Sequence, residues 1–204
     1  MAIGSGPGRT DTMKNLSFDF AGASGGPLVL DLETQYLSDE VAGGWNSVDK
    51  FRVAVVVTWD QQNGSRVWYE EDVPRLLLEA EKFDPIVTFN GERFDFKVLS
   101  AYGPVDVLYR KSLDMLTRLS QQLGHRVKLE SLAQATLGRG KSGSGTECVT
   151  WWRSGDPELR RKAVDYCKMD VDLTRDIYLF AKQHGYLLIF DMKQNMQRRI
   201  QVSW

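Results

Sequence analysis

Two carboxylates close an apolar run in LVLDLETQ, residues 28–35. If Leu28–Thr34 is extended, alternate side chains share a face, so Asp31 and Glu33 project together, ~7 Å apart along the chain. Two like charges that close repel each other unless a cation lies between them. A second candidate lies in DYCKMDVDL, where Tyr166 and Asp170 stand four residues apart. On a helix that spacing places them about 40° apart around the axis, on one face. Asp172, two residues on, is turned away by about 160° and reads as a solvated or capping carboxylate. FNGERFD adds Asp95, just inside a helix that follows a strand, with Asn90 and Phe94 before it. Carboxylate oxygens of this kind are the ligands that hard divalent cations take.

Taken singly, each feature has a plainer reading. The Asp31/Glu33 pair fits a strand leaving the core with solvated polar residues, and Asp170-Val171-Asp172 repeats the same spacing. Asp95 fits a helix N-terminal acid favoured by the dipole. Tyr166 fits a half-buried helix residue with a wet hydroxyl, and Asn90 a strand-end turn. Trp151 and Trp152 fit core positions as well as a base-stacking platform. Lys141 fits a solvated Gly/Ser loop as well as a mobile phosphate contact.

The elements that must position these residues can be read along the chain. After LVLDLETQ comes a polar segment and then the β-branched run FRVAVVVTWD. The turn Gln61-Gln62-Asn63-Gly64 returns it into SRVWYEE, which makes three strands in an antiparallel meander. From Asp72 the period becomes helical, with Pro74 near the start of VPRLLLEAEKF and Pro85 ending it. PIVTFN reads as a short buried strand, GERFDFKVLSAYG as a helix ended by Gly103 and Pro104, and VDVLYRK as a further strand. Asp114 caps a helix through Leu123, KLESLAQATLG forms another, and residues 138–155 read as a mobile Gly/Ser loop. Asp156-Pro157 opens a long helix to about Gln183, and YLLIFD with RRIQVSW fits an added hairpin. The fold class is α/β, with a mixed five-stranded central sheet, three antiparallel strands then parallel ones, flanked by helices.

A chain of 204 residues suits one domain, expected over residues 16–204, with residues 1–15 as a disordered leader or expression remnant. The net charge of −1 excludes a broadly basic surface, so any nucleic-acid contact must be local or metal-mediated. Cys148 and Cys167 are too few for a zinc site or a disulfide framework, which makes a reducing, cytoplasmic setting the default. No apolar run approaches a membrane span.

The order DLE, NGERFD and YCKMD resembles the three exonuclease motifs of the DEDD superfamily of 3′-5′ exonucleases, whose fold is ribonuclease H-like. The similarity runs from about Leu28 to Phe180. Its middle, SLDMLTRLSQQLGHRVKLESLAQATLG, looks like that of stand-alone prokaryotic relatives of family B polymerase proofreading domains. The resemblance implies that Asp31, Glu33, Asp95 and Asp170 are the four acids, and that Tyr166 with Asp170 is the Tyr-x-x-x-Asp of the tyrosine (DEDDy) branch. The other branch carries His one position before that Tyr. Position 165 is Asp, and His125 and His184 fall elsewhere.

By the same resemblance the site takes two Mg²⁺ or Mn²⁺ ions. Asp31 bridges both, Glu33 and Asp170 complete the shell of the first, and Asp95 holds the second partly through water. Tyr166 touches the attacking water, and an ordinary pKa near 10 makes it an orienting group rather than a base. Asn90, Phe94, Lys141 and Trp151 are the expected substrate contacts. The function implied is hydrolysis at the 3′ end of single-stranded nucleic acid, DNA in preference to RNA. A catalytically silent binding module of the same fold is disfavoured because all five motif residues are present. An endonuclease is disfavoured by Tyr166 and FNGERFD.

Overall fold

The computed structural model describes residues 25–140, 145–191 and 196–204. The expected leader, residues 1–15, and Lys141 lie outside them.

Strand β1 (Leu28–Thr34) runs through the middle of a five-stranded sheet. It pairs antiparallel with β2 (Val53–Asp60), which pairs antiparallel with β3 (Gly64–Tyr69) at one edge. Helix α1 (Val73–Ala80) then crosses over to β4 (Ile86–Thr88), which lies parallel to β1. Two short helices, α2 (Asp95–Leu99) and α3 (Asp106–Arg110), lead to β5 (Ser112–Asp114), parallel to β4 at the other edge. The strand order is therefore β3-β2-β1-β4-β5. Helices α4 (Met115–Leu123), α5 (Leu129–Leu137), α6 (Gly145–Arg153) and α7 (Pro157–His184) follow. An antiparallel hairpin of β6 (Tyr186–Asp191) and β7 (Met196–Gln201) comes last. The mixed sheet and the added hairpin expected from the pattern are both present.

Strand alternation divides the apolar side chains between two cores. Leu28, Leu30, Leu32 and Val56 pack with Leu76, Phe96 and Leu99 on one face. Val29, Val55, Val57 and Val87 pack with Leu119, Cys167, Val171 and Ile177 on the other. Each such side chain contributes about 1.5–3 kcal/mol on burial, so a one-residue slip of β1 is strongly disfavoured. That register fixes the direction of Asp31 and Glu33: they follow Val29 in the alternation, toward α7.

Three sequence expectations are corrected. VDVLYRK is not a strand: residues 106–110 are helical, with Leu108 as their buried residue, and the strand falls on Ser112–Asp114, where Leu113 enters the core. The helix read into GERFDFKVLSAYG is limited to five residues, α2. Within 138–155, read as loop, Gly145–Arg153 forms α6 because Cys148 and Val149 are buried there, Cys148 packing with Ala163 and Tyr166 of α7. Tertiary burial overrides a Gly/Ser-rich composition in that segment.

Candidate metal centre

Strands β1 and β4 pair through Leu28 and Val29, and β4 ends at Thr88, whereas β1 continues to Thr34 beside β2. The far half of β1 thus has a free flank, and the cavity lies there. It has a volume of about 660 Å³, and Asp31, Glu33, Asp95, Tyr166 and Asp170 all line it. Asp170 is buried on α7, which packs across β1. Carboxylate oxygens of Asp31, Glu33 and Asp170 lie within 4.8 Å of one another. Tyr166, one helical turn before Asp170, is 6% exposed and packs against Cys148 and Ala163.

Asp95 is the first residue of α2 and is 4% exposed. Its Oδ1 is buried without a hydrogen-bond partner. Burial raises its carboxyl most. The backbone N–H groups of Asp95 and Leu32 pull it back, the charges of Asp114 and Asp170 push it up again, and it ends at about 7.

The turn before α2 is held from below. Asn90 has φ 82°, and a Cβ at Gly91 would come within 2.5 Å of Thr88 Oγ1, so glycine is required there. Buried Asp114 accepts the backbone N–H of Asn90 at 2.9 Å and that of Glu92 at 3.1 Å, and it caps α4 through Thr117 N–H at 3.1 Å. The sequence showed the cap and missed the two turn bonds. Arg126 donates to Asn90 Oδ1 at 2.8 Å, a contact that no motif signals.

Aromatic rings form another wall. Phe94 lies 6.1 Å from Trp45 and 6.2 Å from Phe51, and all three line the cavity. Trp45, 67% exposed on the turn Gly44–Asn46, was not anticipated. Its signal was an isolated Trp in an otherwise polar, Gly-containing connection.

Other sequence candidates fall outside the cavity. Trp151 packs against the Cys148–Ala163–Tyr166 cluster, and Trp152 faces Tyr69. Asp172 accepts from Arg175 Nη1 at 2.6 Å and is not among the cavity-lining residues.

A family model of the RNase H superfamily matches residues 28–181, most of the chain, including all five motif residues. The chain belongs to the RNase H superfamily. A comparison with curated proteins gives no match. For an RNase H superfamily domain the coarse function is nuclease chemistry on nucleic acid, and the acid cluster is compatible with divalent metal. The donor set fits: every candidate ligand is a hard oxygen, and the orphaned Asp95 Oδ1 is a buried acceptor that a hydrated cation would satisfy. Among the described residues no helix is long and apolar enough to cross a membrane.

Proposed function

We propose that this RNase H superfamily chain is a metal-dependent 3′-5′ exonuclease of the tyrosine type, removing mononucleotides from single-stranded ends, DNA in preference to RNA. The observation that carries the reading is the convergence of Asp31, Glu33 and Asp170 within 4.8 Å, in one cavity with Asp95 and Tyr166.

In this reading Asp31, Glu33 and Asp170 hold one Mg²⁺ or Mn²⁺, and Asp31 with Asp95 holds a second. Bound there, the ions neutralise charge on the phosphate oxygens and lower the pKa of the attacking water. The remaining work belongs to the chain. Tyr166, kept in place by α6 packing, orients the water through its hydroxyl. Phe94 and Trp45 offer ring faces to the terminal base, and Asn90, tethered by Asp114 and Arg126, contacts the sugar-phosphate. The cavity volume of about 660 Å³ is in the range that encloses a small organic ligand.

The test is digestion of single-stranded DNA and RNA, labelled at either end, in Mg²⁺, Mn²⁺ or EDTA, with a closed circle as control. Release of the 3′ label as mononucleotide, loss of activity in EDTA and an intact circle are expected. A cut circle makes the chain an endonuclease, and binding without any cleavage makes it a silent module.

A further inference from the structure

A second concavity, about 560 Å³, is walled by Tyr69, Trp152, Arg160 and Arg161, together with Gln35, Glu70 and Glu71. Neighbouring residues of two elements line it and the metal cavity. At the end of β1, Thr34 lines the first and Gln35 the second. On α6, Val149 lines the first and Trp152, about 4.5 Å further along the axis, lines the second.

The wall is aromatic and cationic. Tyr69, on the edge strand β3, is 43% exposed, and its ring centre lies 6.1 Å from that of Trp152 with the planes 31° apart. The Arg160 guanidinium sits 5.2 Å from the Trp152 ring centre and donates through Nε to the Trp152 carbonyl at 3.2 Å. Arg161 is 68% exposed and pairs with Glu158, itself 69% exposed. A surface pair of that kind is worth little and yields readily to a phosphate. Of the two wall acids, Glu70 is occupied by Arg52, Gln35 and Tyr102, and Glu71 is exposed. Exposed Tyr69 and part-buried Trp152 beside unburied guanidinium groups are a composition that binds single strands, with bases on the rings and phosphates on the cations.

We propose that this concavity is an upstream nucleotide subsite. A strand whose 3′ end lies at the acids passes the last turn of α6, stacks a base on the Tyr69–Trp152 pair and sets a phosphate against Arg160 and Arg161. The proposal rests on the nuclease reading and extends it: substrate length, and not only the terminal nucleotide, sets affinity.

The experiment is fluorescence anisotropy of the full chain with labelled thymidylate oligomers, a trinucleotide and a dodecanucleotide, in Ca²⁺. The wild type should bind the longer oligomer more tightly. Tyr69→Ala, and the double change Arg160→Ala with Arg161→Ala, should each weaken the longer oligomer by about tenfold or more and leave the shorter one unchanged. The double change should also flatten the salt dependence by about 1.4 in log–log slope, the value for two lost phosphate contacts on a single strand. Tyr69→Phe, which keeps the ring, should bind as the wild type does. Variants that keep the full length advantage, or that lose both oligomers equally, overturn the subsite and leave the nuclease reading standing. A wild type that binds neither oligomer sinks both.

Discussion

The Cys167 thiol lies 3.4 Å from the carbonyl oxygen of Asp31 and 3.7 Å from its carboxylate Oδ2. Burial pushes this thiol well above its ordinary range, and the charges of Asp31, Glu33 and Asp170 push it further. Cys167 is therefore a neutral donor behind the acids rather than a thiolate. Neither it nor Cys148, both buried, should react with a thiol reagent on the folded protein near neutral pH, and both should react in denaturant. Rapid labelling of the native chain at Cys167 would mean that the wall behind Asp31 is open.

Asp170 and Asp172 separate ligation from surface charge. Asp170 is 7% exposed and lines the cavity, whereas the Asp172 side chain is 33% exposed and pairs with Arg175. Asp170→Asn, like Asp31→Ala, should reduce nuclease activity to background and weaken Mn²⁺ binding measured calorimetrically. Asp172→Asn should leave turnover unchanged and cost about 0.2–1 kcal/mol of stability. The reverse pattern would require a different helix register.

Tyr166→Phe keeps the ring that packs on Cys148 and Ala163 and removes only the hydroxyl. Metal binding and melting temperature should be retained while turnover falls by roughly 10²–10⁴. An unchanged rate would remove the hydroxyl from the reaction.

Glu70 links folding to pH away from the acids. Burial alone would raise its carboxyl, but hydrogen bonds from Arg52, Tyr102 and Gln35 outweigh that and leave it below the ordinary 4.5. A depressed folded-state pKa means stability that is fully present above pH 4.5 and is lost as the pH falls through the folded value. The melting-temperature gap between wild type and Glu70→Gln should therefore be constant at neutral pH and shrink as acid is added. A gap that widens in acid would contradict the sign.

Buried Trp68 donates its indole N–H to Thr58 Oγ1 at 2.8 Å. Thr58→Val leaves that donor without a partner and should cost about 1–3 kcal/mol in a denaturant melt. A neutral result would mean that Trp68 finds another acceptor.

The sheet was legible where period and length are strong. Strands β1 and β2 are mostly apolar runs of seven and eight residues and β3 follows across a recognisable turn, while Asp156-Pro157 and Asp114 carry helix starts whose caps form as expected, Asp156 accepting from Glu158 N–H at 2.8 Å. Three-residue β5 is too short to show a period, so its place was taken by the neighbouring apolar Val105–Leu108. Helix α6 was hidden because its stability comes from tertiary burial of Cys148 and Val149, Cys148 against Ala163 and Tyr166 of α7, and not from a local period. Within the site, acids with fixed spacing were visible. Trp45, Arg126 and the Asp114 support of Asn90 depend on long-range juxtaposition that spacing does not encode.

The four motif acids in the cavity come from positions 31, 33, 95 and 170, and the last of them arrives on the long helix α7. Chains emerge from the ribosome N-terminal end first, so Asp31 and Glu33 wait on an incomplete sheet until α7 can lie across β1. Repulsion among the carboxylates disfavours any earlier partial gathering. Translation thereby imposes an order on assembly: Asp31, Glu33 and Asp95 are made first, and the acid cluster closes only after Tyr166 and Asp170 have followed them.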